Sequence, residues 1–345
     1  MKKLIIVSLF ISAIAFTTKA QDVHFSQFFE APQLVNPALT GYFVGDHRFI
    51  ANFKDQWKAI GSPYRTYAFA YDMGLNKTSS ETGYLALGGM IFADKAGDLN
   101  LTTIQGIVNI AYHLKISDNQ TLGAALSGGF GQKSMDMTAA QWDNQYDINV
   151  GGFNPNMASN ELNPFNSFTY PDLGFGMLYT IKNAESSMTS NDGIRANFGF
   201  GVHHINSPKM KFYSDSDTTK LAPRISGHGQ FQFGIPNSNL AIIPGFFYYR
   251  QGKMQEIYVG ANFRYRLKEH SKYTGFINDA YFSLGGYHRF ADAAIVFAQI
   301  ELNDIAFGVS YDVNVSKLRV ATTGRGGLEL SLRYIIAPTT QKSFY

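Results

Sequence analysis

The chain has 345 residues, 29 Lys and Arg against 26 Asp and Glu, a formal charge of +3 and no cysteine. Without cysteine it can have neither disulfides nor a lipid anchor on an N-terminal Cys. Lys2, Lys3 and Lys19 all precede Gln21, so the rest of the chain balances at 26 basic and 26 acidic residues, which excludes the basic excess of a nucleic-acid-binding surface.

Met1-Lys2-Lys3, the apolar run Leu4 to Phe16 and the small residues before Gln21 have the form of an export signal, with cleavage expected after Ala20. The apolar run is too short to span a bilayer as a helix. Residues 21–46 show no alternation, and Pro32, Pro37 and Gly41 oppose a strand or a long helix. This segment is expected either to plug a barrel, with Phe25 and Phe28 as apolar anchors and Asn36-Pro37 making a turn, or to extend into the periplasm.

From His47 onward, short alternating stretches recur. They begin near His47, Tyr64, Thr82, Thr102, Thr121, Tyr170, Arg195, Leu221, Leu240, Glu256, Phe276, Ala291, Asn303 and Gly326. The clearest sets Ile257, Val259, Ala261, Phe263, Tyr265 and Leu267 against Glu256, Tyr258, Gly260, Asn262, Arg264, Arg266 and Lys268. A period of two places those sets on opposite faces of a strand. An apolar outer face around a polar, wet interior is the pattern of a transmembrane β-barrel. The 29 Phe, 20 Tyr and 33 Gly fit lipid-facing rings and tight turns. The fold expected is therefore all-β: an antiparallel transmembrane barrel of about 14 strands over residues 47–337, its N-terminal segment inside, with a tail at 338–345.

Turns are expected at Asp72-Met73-Gly74, Ser117-Asp118-Asn119, Ile235-Pro236-Asn237 and Leu302-Asn303-Asp304. Two connections are longer, Lys133 to Thr169 and Ser207 to Lys220, and long loops on such barrels face outward. Trp142, Tyr146, Phe153 and Phe165 on the first are candidate contact residues, since aromatics in exposed loops are common interface anchors.

Several short motifs, in order along the chain, carry a family resemblance. Phe25-Ser26-Gln27-Phe28 with Asn36-Pro37-Ala38 and Gly41, Gln56-Trp57, Tyr71-Asp72, Asp94-Lys95-Ala96-Gly97 and Gln132-Lys133-Ser134 belong to it. So do His204-Ile205-Asn206 with Pro208, and Tyr311-Asp312 with Ser316-Lys317-Leu318. Together they resemble the PorP/SprF-type membrane proteins of the type IX secretion system; the short tail after Ile336 departs from that pattern. The resemblance implies an outer-membrane protein of a Bacteroidota-like Gram-negative cell. It also implies a secreted cargo, of the gliding-adhesin type, held or exported through its C-terminal sorting domain, and contact with other secretion components and outer-membrane lipid.

No residue pattern suggests catalysis or a cofactor. Ser127, Ser226, Ser310, His113, His228 and His288 lie on strands without spacing that joins them, and no G-x-S-x-G elbow is present. His203 and His204 should point to opposite faces and so not share a metal ion. Asp94/Asp98 and Asp215/Asp217 are read as a polar turn and a solvated loop. Arg264, Arg266, Lys268 and Arg333 are expected to pair with Glu256, Glu329 and Asp312 inside the barrel, or else to receive an acidic segment. The rival function is a hydrophobic-molecule transporter similar to fatty-acid channels, which would need an apolar lumen. A soluble sandwich would instead bury its apolar faces.

Overall fold

In the computed structural model, residues 23–58, 62–77, 80–160, 165, 167–183, 193–212, 219–268, 277, 279–316 and 319–336 are described. The export signal and its cleavage point, the tail, Asn163-Pro164 and the Asp215/Asp217 pair lie outside them. The long strands are β1 (His47–Gln56), β2 (Tyr64–Leu75), β3 (Gly83–Ala96), β4 (Leu101–Ser117), β5 (Gln120–Ser134), β8 (Phe168–Lys182), β9 (Ile194–His203) and β10 (Arg224–Gly234). β11 (Leu240–Gln251), β12 (Met254–Lys268), β13 (Ala280–Arg289), β14 (Ala293–Leu302), β15 (Ile305–Asn314) and β16 (Arg325–Ile336) complete the set. Among the described residues these fourteen pair antiparallel in chain order, and β1 meets β16 from His47↔Ile336 to Gln56↔Gly327, so the barrel is closed. β6 (Tyr146–Asp147) and β7 (Gly152–Phe153) form a separate small hairpin. Both ends of the barrel chain share the rim with the turns at 118–119, 235–239 and 303–304, which makes it the periplasmic rim. The connections 135–167 and 204–223 leave the opposite, extracellular rim.

The outward faces are as oily as the alternation requires. Ile257, Val259, Phe263, Tyr265 and Leu267 of β12 are exposed, and Glu256, Tyr258 and Asn262 are buried. One expected turn falls elsewhere. Asp72, Met73 and Gly74 continue β2 and the chain turns after Leu75, because the Asp72 carboxylate points inward and is held by Arg48 at 2.7 and 2.9 Å.

The lumen is not wet throughout. The segment 23–46 runs up the inside of the barrel. Its Asp46 N–H bonds the Ile336 carbonyl at the periplasmic rim, and Val23 lies beside Arg224 at the extracellular end of β10. Three apolar clusters join segment to wall. Phe25, Ala31 and Leu34 pack with Ile50, Met90 and Phe92; Phe28 and Val35 with Phe247, Tyr258 and Tyr287; Ala38 with Ala86, Ala111 and Leu178. Several inward positions are therefore aromatic or aliphatic, and they are the ones the segment covers. Phe28 stacks on Phe247 at 5.2 Å and meets Tyr287 edge-on at 5.3 Å. Where the segment needs room, the wall has glycine: a Cβ at Gly176 or Gly199 would collide with the Asn36 amide.

Candidate functional site

The polar groups of the segment meet wall groups in sequence, which fixes its register. The Ser26 and Gln27 N–H groups donate to the two Glu329 oxygens at 2.7 and 2.8 Å, and Ser26 Oγ donates to Asp312 at 2.7 Å. The Gln27 amide oxygen accepts from Ser331, and its nitrogen donates to Ser310 and the Glu329 carbonyl. Glu30 accepts from Gln299 and Arg333 at 2.7 and 2.6 Å. Asn36 accepts from the Ala38 N–H, as a cap for the Pro37–Leu39 turn, and donates to the Met177 carbonyl. Pro37 at the first helical position needs no N–H partner there. In an interior of low dielectric an unmatched group would cost roughly 1–3 kcal/mol, so these pairings specify one seating.

The seven lumen charges split into two groups and do not pair as expected. Arg264 forks onto Glu301 at 2.9 and 3.1 Å, and Arg333 reaches Glu30 and Glu301. Lys268 donates to the Ile277 carbonyl, and Arg266 lies 5.8 Å from the Tyr281 ring. The acids belong to a second, upper group. Glu256 accepts from Tyr258, Glu329 holds the segment backbone, and Asp312 pairs with the wholly buried Arg289 at 3.0 Å. Strand register separates the groups: Arg264, Arg266 and Lys268 lie in the periplasmic half of β12, Glu256 near its extracellular start.

Arg48, Asp172 and Arg289 carry no motif in the sequence, and Asp72 stands there only in a turn and a family motif, not as a lumen charge. Each is a charge in an inward phase, which alternation could have flagged. His204 also turns inward, against expectation. Its φ of 57° ends β9, and its Nδ1 lies 2.8 Å from Asp172. His203 and His204 are thus both buried.

Lys77, in the turn after β2, closes the periplasmic end of the segment. Its ammonium donates to the carbonyls of Gly41, Phe43 and Gly45 and sits 4.2 Å from the Phe43 ring centre. Burial first, then the Arg48 guanidinium, push it down to about 7 from its ordinary 10.5, against the pull of Asp72 and Asp46. Between those values the unfolded chain holds a proton that the folded chain has released, so stability rises with pH from about 7 to 10.5 and this contribution is lost as pH falls through 7. Urea midpoints of the solubilised barrel at pH 7 and 9.5 should show that rise, and Lys77→Met should flatten it.

At the extracellular rim the long loop is ordered by polar ties. Gln145 accepts from the Trp142 N–H and donates to the Met157 carbonyl. The Asp147 carboxylate takes the Asn154 amide and the Asn149 N–H, which hold its pKa below the usual carboxylate range. These ties support the β6–β7 hairpin, in which Tyr146 faces Phe153 and the tip presents Ile148 and Val150, 87% and 69% exposed. Trp142 is half-buried at the base of this hairpin. Phe165 is not part of the tip: its ring lies 5.8 Å from Phe212 of the second loop. Ile148 and Val150 are aliphatic, so an aromatic signature in the loop does not reveal them.

A closed fourteen-strand barrel with an oily belt and a segment in its lumen is an outer-membrane protein by construction. Its own family is equally plain: the chain belongs to the PorP/SprF type IX secretion system membrane proteins, whose sequence profile matches residues 17–334. No curated protein sequence matches it. It is similar to the solved toluene transporter TbuX of Ralstonia pickettii, at 10% identity over 89% of this chain and 94% of that one, with a TM-score of 0.47. It is also similar to BamA from Haemophilus ducreyi lacking POTRA domains 1-3, at 10% identity over 84% of this chain and 70% of that one, with a TM-score of 0.43.

Proposed function

We propose that the protein is a non-enzymatic part of the type IX secretion machinery that binds the C-terminal domain of one exported cargo, of the gliding-adhesin type, at the cell surface. The barrel is a rigid mount, and the contact is made by the β6–β7 hairpin. The observation that carries this reading is the exposed apolar tip, Tyr146, Ile148, Val150 and Phe153, on a loop whose base is tied by hydrogen bonds. A soluble-side apolar cluster on an ordered support is what an interface anchor requires. Trp142 supports the hairpin, while Phe165 joins the two loops.

The segment packed against the lumen wall favours this reading over small-molecule transport. Beside Phe28 and Phe247, between segment and wall, the space left is about 20 Å³, enough for a water and not for a hydrocarbon. Replacing Tyr146, Ile148, Val150 and Phe153 by Ser should release the cargo into the medium while the barrel still assembles. Full retention of the cargo on the cells would remove the hairpin from the mechanism.

A further inference from the structure

The geometry points to a binding site for a phosphate-bearing acyl lipid of the outer leaflet, on the outside of the barrel where β1, β2 and β3 adjoin the closing strand β16. A hollow of about 580 Å³ lies in the lipid-facing wall there. Its floor is made by two small outward residues, Ala51 and Ala93, and its sides by Phe53, Tyr67, Phe69 and Leu332. Register explains the shape. Ala51 stands between Phe69 and Leu332 on its neighbours, and Ala93 stands opposite Tyr67. A void in hydrocarbon forfeits the dispersion contacts of every atom around it. The surrounding medium can fill a gap one side chain wide with a methylene chain. A helix, roughly 10 Å across, would rest on the rings without entering.

The second half of the site lies directly above. Two residues further up β2 from Tyr67, and two up β3 from Ala93, are Arg65 and Lys95, paired directly across the strands and both exposed on the outward face. Like charges at that separation, about 5 Å, repel unless an anion lies between them. Asp55, opposite Arg65 on β1, approaches it at 3.6 Å and offsets one of the two charges, leaving a net positive site. Depth along the wall is marked by Trp57 and Tyr64, whose rings meet edge-on at 5.1 Å beside Arg65. Such aromatics settle at headgroup level. The cations thus lie at phosphate depth and the hollow at acyl depth, roughly 7 Å lower at 3.3 Å per strand residue. A phosphate monoester between Arg65 and Lys95, with a tail lying over Ala51 and Ala93, uses both features at once. Bound at the seam, the lipid would also brace the β1–β16 closure.

The test is native mass spectrometry of the delipidated full-length barrel titrated separately with lipid A, phosphatidylglycerol and phosphatidylethanolamine. Lipid A should bind at least tenfold tighter than phosphatidylethanolamine. R65Q/K95Q should abolish that preference and R65K should keep it. A51L/A93L should weaken all three lipids about tenfold while leaving their order unchanged. Folded gel mobility of each variant checks that the barrel has closed. Equal binding of lipid A and phosphatidylethanolamine by the unaltered protein would overturn the site, as would a preference that survives R65Q/K95Q. Phosphatidylglycerol binding as tightly as lipid A would overturn the monoester assignment.

Discussion

A barrel refolded without residues 21–46 is expected to conduct ions across a planar bilayer at roughly ten times the level of the intact protein or more, because a barrel of this strand number has a lumen that must be filled or left open. In the intact chain the segment traverses that lumen and is bonded at each level, from Asp46 at the periplasmic rim to His24, whose carbonyl accepts from Lys54 at 2.8 Å. The deletion also strips the apolar clusters of one partner and bares Tyr258, Phe247 and Tyr287 to water. A milder variant therefore accompanies it. Gly199→Leu places a side chain where Asn36 and His228 now lie and should displace the Asn36-Pro37 turn without removing the segment. Both changes should raise conductance, the deletion more. Conductance that stays negligible in both would mean that the segment does not close the pore.

The second large effect concerns Arg289. Its side chain is wholly buried and donates to Asp312, Asp292, Ser26 and the Tyr258 hydroxyl. Arg289→Met leaves Asp312 buried beside Glu329 and Glu256 without a cation of its own. Removing one partner of such a group destabilises by about 3–5 kcal/mol, since the remaining charge stays desolvated. The urea midpoint of the solubilised barrel should fall accordingly, and adding Asp312→Asn should restore part of the loss. An R289M barrel as stable as the parent would show that the network contributes no stability. The same change frees Ser26 from one partner, so it should also loosen the upper end of the segment.

Much of this architecture was legible in the chain because membrane and lumen impose opposite demands on alternate residues. The starts at His47, Tyr64 and Leu240 coincide with the strands, and the others fall within a few residues of the long strands they announce. What alternation could not give was the partner of each inward group. The pattern at Arg264, Arg266 and Lys268 reveals a face, but pairing depends on stagger between strands, and stagger brought Glu301 to Arg264 and left Glu256 in the other half. Asp72-Met73-Gly74 resembles a turn in isolation. Its place in β2 follows from the distant Arg48. His204 illustrates the same limit, since its left-handed backbone just past the strand, which alternation does not reveal, leaves two adjacent histidines buried. The interior also holds more apolar surface than the alternation of β12 or β15 suggests, because the lumen is a protein core shared with residues 23–46. At the loop, two of the aromatic candidates, Tyr146 and Phe153, lie in the hairpin, and its most exposed large apolar residues, Ile148 and Val150, are aliphatic.

A photo-crosslinking residue placed at Val150 in living cells reads the contact where it is expected to form. Illumination should join the barrel to one large exported protein, with the crosslink mapped to its C-terminal domain. Crosslinks to lipid alone, or to no protein in cells that display that cargo, would contradict the account.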